Sequence, residues 1–84
     1  MDLRGRTVLV TGGGTGLGHA ICVELAHRGA YVAVNYSRSR VEAEATVDLL
    51  TTLGTKACAI QADISDSDAP AQLVADTEEQ LGPI

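Results

Sequence analysis

The sequence predicts an α/β fold, the first half of a doubly wound parallel sheet, with three strands alternating with three helices. Three observations predict it. Short continuous apolar runs rich in β-branched residues, Thr7-Val8-Leu9-Val10 and Ala30 to Val34, are too short for helices and read as buried strands. Longer segments between them repeat apolar residues every four positions and close on Gly29, Gly54 and Gly82, the usual helix stop. The connections are short, and right-handed crossovers between successive strands give a parallel sheet.

Taken in order, a polar lead-in ends at Arg6, and Thr7 to Val10 is the first strand. The first helix follows a glycine cluster, with Leu17, Ile21 and Leu25 in one stripe beside Ala20, and with His19, Glu24 and Arg28 opposite. Ala30 to Val34 is the second strand, and the polar stretch Asn35-Tyr36-Ser37-Arg38-Ser39-Arg40 interrupts the pattern. Val41, Ala45, Leu49 and Leu53, joined by Leu50, form the stripe of a second helix. Lys56 to Ile60 is a third strand, less apolar than the others and so nearer a sheet edge. Capping residues in Ser65-Asp66-Ser67-Asp68 and the nearby Pro70 start a third helix, whose face is Leu73, Thr77 and Leu81 with Val74 alongside.

Composition narrows the function. A net charge of −5 with no Lys/Arg cluster argues against nucleic acid and leaves a small molecule as the expected partner. No apolar run approaches the roughly 20 residues that a membrane helix needs, and the N-terminus lacks the apolar core of a signal peptide, so a cytoplasmic setting is expected. Cys22 and Cys58 lie in apolar segments without metal-ligand spacing and read as buried thiols. His19 and His27 have no nucleophile or paired carboxylate at a meaningful spacing and read as solvated helix residues. Asp66, Asp68, Asp76, Glu78 and Glu79 read as capping and a solvated face, and no metal is expected.

The informative stretch is Thr11-Gly12-Gly13-Gly14-Thr15-Gly16-Leu17-Gly18, between a buried strand and a helix start. Glycines there let backbone N–H groups and the positive end of the helix dipole face a ligand's phosphates with no side chain between them. Gly12 suits the tight turn, Gly16 a close backbone approach to a pyrophosphate, and Gly18 close packing of helix on strand. Thr15 and Leu17 present backbone N–H groups.

The spacing Thr-Gly-xxx-Gly-x-Gly resembles that of the short-chain dehydrogenase/reductase family. Thr7 to Gly12, Val32-Ala33-Val34-Asn35-Tyr36 and Asp63-Ile64 are similar to the first half of its Rossmann-type domain, in order and spacing. The resemblance covers essentially residues 1–84 and implies the N-terminal dinucleotide-binding half of that domain, a fragment. It implies that Asp63 accepts a hydrogen bond from the adenine amino group and that Ile64 packs on the ring. It also sets the choice of cofactor at the end of the second strand, where an acid would hold the ribose 2′-OH of NAD and repel a 2′-phosphate. No acid stands there. Tyr36 aligns with that position, while Ser37 and Arg38 can bond a phosphate, so NADP is expected over NAD. Two departures stand against this pattern. Thr15 replaces a basic residue that many NADP-preferring relatives carry, and Gly14 replaces a Ser able to touch the ribose.

The resemblance further implies a catalytic Ser and a Tyr-xxx-Lys pair beyond a fourth strand, and homo-oligomers among complete members. None of this is present in the sequence, whose only Lys is Lys56. The chain alone is expected to bind dinucleotide without transferring hydride, as the cofactor-binding portion of an oxidoreductase acting on a carbonyl or alcohol. A non-catalytic nucleotide- or partner-binding module is the alternative. Without a fourth strand, Thr7 to Val10 is expected to be an unpaired apolar edge, and the chain a marginal monomer or an associating one.

Overall fold

The computed structural model describes residues 2–12 and 16–84. The elements are β1 (Thr7–Thr11), α1 (Gly16–His27), β2 (Tyr31–Tyr36), α2 (Arg40–Thr52), β3 (Ala57–Gln61) and α3 (Ala69–Leu81). The strict alternation expected from sequence is present, with β2 running two residues beyond Val34. The three strands form one parallel sheet in the order β1-β2-β3.

Strand side chains alternate between the faces, so each face has its own core. Val8 and Val10, then Val32 and Val34, then Ala57 and Ala59 lie across one face in register. They meet Cys22 and Ala26 of α1 and Ala43 and Leu50 of α2. On the other face Leu9, Ala33, Cys58 and Ile60 meet Leu73 and Leu81 of α3. Three layers result, with β2 buried along its length and β1 only half-buried at the sheet edge.

Both glycine stops on the first layer have the same geometry. Gly29 N–H donates to Ala26 O and Ala30 N–H to Leu25 O, and Gly54 N–H donates to Thr51 O and Thr55 N–H to Leu50 O. Each is a Schellman motif, whose left-handed residue is φ +89° at Gly29 and φ +95° at Gly54.

The helix faces differ from two of the three sequence expectations. On α1, Leu17 is 77% exposed and Ile21 42% exposed, Ala20 is exposed, and the buried row is Cys22 and Ala26. The helix is apolar on most sides, so periodicity does not single out the buried one. His19, expected in solvent, is half-buried against α2, where its Nδ1 lies 2.8 Å from Thr46 Oγ1. The Thr46 hydroxyl donates to Glu42 O, so it accepts the hydrogen that His19 Nδ1 carries. On α2 the buried row is Ala43, Thr46 and Leu50, while Val41, Ala45, Leu49 and Leu53 are exposed. The buried row of α2 thus consists of a small residue, a hydroxyl bonded to His19 of α1, and Leu50. On α3 the expected Leu73 and Thr77 are buried and Leu81 half-buried, though Val74 is exposed.

Burial pushes the Cys22 thiol up to about 11, which makes it a packing residue rather than a nucleophile at neutral pH. Cys58, half-buried on β3, is raised for the same reason. Among the described residues, no helix is long and apolar enough to cross a membrane.

Candidate functional site

Parallel pairing places the C-terminal ends of the strands on one edge, where Thr11 pairs with Asn35, Asn35 with Ile60, and Tyr36 with Gln61. The three stretches singled out from sequence leave the sheet at that edge. They are the glycine turn after β1, the loop Ser37 to Ser39 after β2, and Asp63-Ile64 after β3. An open α/β sheet binds its ligands outside the carboxyl ends of its strands.

The glycine turn begins with Gly12, whose N–H donates to Asn35 O and so prolongs the ladder by one residue. Gly12 has φ +66° and Gly16 φ +50°, the left-handed region that favours glycine, and a Cβ at either would meet nothing within 4 Å. Space for a ligand therefore remains beside both. Gly16 opens α1, Leu17 follows exposed, and Gly18 is half-buried. Gly13, Gly14 and Thr15 lie outside the described residues.

After β2, Ser37, Arg38, Ser39 and Arg40 are all exposed. The loop backbone is tied down from outside by Gln61 Nε2 donating to Ser37 O and by Arg40 N–H donating to Arg38 O. Tyr36, the last residue of β2, is 6% exposed and belongs to the core. Arg40 Nε donates to its hydroxyl at 3.0 Å.

After β3, Ala62 N–H donates to Tyr36 O, and the chain then turns at Asp63. Asp63 Oδ1 accepts from Ser65 Oγ at 2.6 Å and from Ser65 N–H at 3.0 Å. The Ser65 hydroxyl, then its N–H, and then the charge of Arg38 hold the Asp63 carboxyl below its ordinary range. Oδ2 has no partner among the described residues and is open to a donor such as an amino group. Ile64 beside it is 52% exposed and presents an apolar surface. The acids that follow do not cap α3 as expected. Asp68 at its N-cap makes no side-chain cap bond, and Asp66 Oδ1 instead accepts from Asp68 N–H in the preceding turn.

Sequence reasoning missed three residues. Asn35, 3% exposed, donates from Nδ2 to Ile60 O and Ala62 O at 3.2 Å, which fixes the approach to Asp63 from β2. Its signal was a polar residue continuing a fully apolar strand. Ser65 orients Asp63, and the short Asp-x-Ser spacing signals such an Asx turn. Arg40, the first residue of α2, is brought back to Tyr36 at the end of β2 by the short loop between them.

A surface hollow of about 700 Å³ lies at the opposite end of the sheet, between the C-terminal ends of α1 and α2, lined by Arg4, Ala26, Gly29, Tyr31, Gly54 and Thr55. None of the sequence-predicted site residues lines it. A smaller hollow of about 370 Å³ lies beside Ala62, Asp66 and Leu73, next to the Asp63 turn.

The sequence profile described as short chain dehydrogenase matches residues 6–84. The chain belongs to the short chain dehydrogenase family. Among its relatives in that family, the short-chain dehydrogenase/reductase homolog YusS of Bacillus subtilis is 58% identical over 65 residues, 77% of this chain and 60% of that protein. Versicolorin reductase 1 of Aspergillus parasiticus is 50% identical over 80 residues, 95% of this chain and 30% of that protein. A short chain dehydrogenase from Burkholderia cenocepacia, solved in complex with NADP, superposes with a TM-score of 0.92 at 43% identity, covering 98% of this chain and 34% of that one. The chain thus spans about a third of the length of most of these short chain dehydrogenases, and it carries the family's Rossmann-type strand and helix order.

Proposed function

We propose that residues 1–84 are the N-terminal dinucleotide-binding half of a short chain dehydrogenase domain, taking NADP in preference to NAD. The observation that carries this is the end of β2, where a buried Tyr36 stands in place of an acid and is followed by exposed Ser37 and Arg38. An acid there would repel a 2′-phosphate, whereas a hydroxyl and a guanidinium donate to one. The NADP bound by the similar Burkholderia cenocepacia protein supports the same reading.

The residues present fit a dinucleotide. Gly12, Thr15, Gly16, Leu17 and Gly18 would face the pyrophosphate with backbone N–H groups at the start of α1. Ser37 and Arg38 would hold the 2′-phosphate, Asp63 would accept from the adenine amino group through Oδ2, and Ile64 would cover the ring. When bound, the nicotinamide supplies or accepts hydride. The chain's own residues position and orient, and no Ser with a Tyr-xxx-Lys pair is among them. Hydride transfer on a carbonyl or alcohol therefore belongs to the longer enzyme, which we place in the cytoplasm as a homo-oligomer.

Titration of the chain with NADPH and NADH, followed by nicotinamide fluorescence, tests the proposal. NADPH is expected to bind at least about tenfold more tightly, the 1.4 kcal/mol that one charge-assisted hydrogen bond provides. Equal affinities would remove the preference. Failure to bind either dinucleotide by a folded chain would favour the second reading, a partner-binding module. The exposed Leu17 and Ile21 and the edge position of β1 speak for that one.

A further inference from the structure

We infer that Arg40, held by the Tyr36 hydroxyl, is a second determinant of cofactor choice, acting with Arg38 on the 2′-phosphate. This rests on the dinucleotide reading above. Arg40 is exposed, yet its Nε is anchored 3.0 Å from Tyr36 Oη, on a ring buried in the core between β2 and the helices. The Glu44 carboxylate lies 3.7 Å from the same Nε, too far for a good hydrogen bond and on the surface, where such pairs contribute little. Both Nη groups are without a partner among the described residues and offer a two-pronged fork to an oxyanion.

Tyr36 adds a donor of its own. Its part-buried hydroxyl oxygen accepts from Arg40, and its hydrogen has no acceptor among the described residues. That hydrogen is available to an anion seated on Arg40. Arg38 acts through its charge on Asp63. The two guanidiniums thus have separate tasks. Arg38 bridges the 2′-phosphate side and the adenine side, and Arg40 is fixed in place by a residue of the core. A lone exposed arginine must give up side-chain freedom to bind, whereas Arg40 has already given up part of it.

The test is NADPH and NADH titration of the chain and of Tyr36→Phe, Arg40→Gln and the double variant. Tyr36→Phe keeps the ring in the core, and Arg40 is exposed, so folding is retained and is checked by circular dichroism. Arg40→Gln is expected to weaken NADPH about tenfold and Tyr36→Phe about fivefold, with NADH unchanged within about twofold. The double variant is expected to match Arg40→Gln within about twofold, because Tyr36 acts largely through Arg40. Unchanged NADPH affinity in both single variants, beside a binding parent chain, overturns this inference alone. Equal weakening of NADPH and NADH also overturns it, since that marks a structural role. A parent chain that binds neither dinucleotide overturns the dinucleotide reading and this inference together.

Discussion

The Asp63 carboxylate shows how one neighbouring residue can fix a carboxyl group that we propose as a binding group. With Ser65 donating twice to Oδ1, the carboxyl is held in the charged form, and Oδ2 has no partner among the described residues. The folded-state pKa is lowered from 3.8, so the favourable interaction is complete above that value and is lost only as pH falls through the lower folded value. Binding that depends on Asp63 is therefore flat across neutral pH. Ser65→Ala is expected to raise the Asp63 titration midpoint toward 3.8, read from carboxyl chemical shifts. A midpoint that does not move would assign the lowering to the residue-65 backbone N–H and the charge of Arg38 instead. That Asp63, Ser37 and Arg38 follow the ends of strands was legible in the sequence, and residue type and position alone suggest the chemistry proposed for them. Ser65 and Arg40 were less so, because what matters is where their donors point.

Among the elements, the helix stops were readable and the helix faces were not. A glycine after a periodic segment marks a Schellman motif whatever surrounds it, and Gly29 and Gly54 both adopt one. Their surroundings differ. A Cβ at Gly29 would come 2.5 Å from Arg4 Cγ and 3.1 Å from Arg4 Cα, while one at Gly54 would meet nothing within 4 Å. Gly54→Ala is expected to cost about 1 kcal/mol, the strain of a side chain at positive φ. Gly29→Ala is expected to cost about 2 kcal/mol, since the Arg4 backbone must also move. Urea denaturation of the two variants checks this, and equal costs would show that the Arg4 segment yields freely. The buried rows of α1 and α2 escaped periodicity because both helices carry apolar residues on several sides. Thr46 is buried with its hydroxyl satisfied by His19 and Glu42.

For the whole molecule, β1 is an edge strand with half-buried Val8, Leu9 and Val10, and α1 presents Leu17 and Ile21 to solvent. Such an arrangement buries little apolar area around the glycine turn, so ligand binding is expected to contribute a large share of the stability there. At a hundred times its Kd, NADPH is expected to add about 2.7 kcal/mol to the unfolding free energy, and NADH at the same concentration less. Thermal unfolding with each dinucleotide measures this, and an equal rise with both would contradict the preference for NADP. By itself the sequence determined the order of elements, the parallel sheet, the glycine turn and the lack of an acid at the end of β2. These follow from local periodicity and from residue types that act wherever they stand. Only the tertiary structure decided which helix faces are buried, that Asn35 staples β2 to the approach to Asp63, and that Tyr36 turns its hydroxyl to Arg40. Those depend on what lies across a layer or on a neighbouring strand, and no spacing along the chain records it.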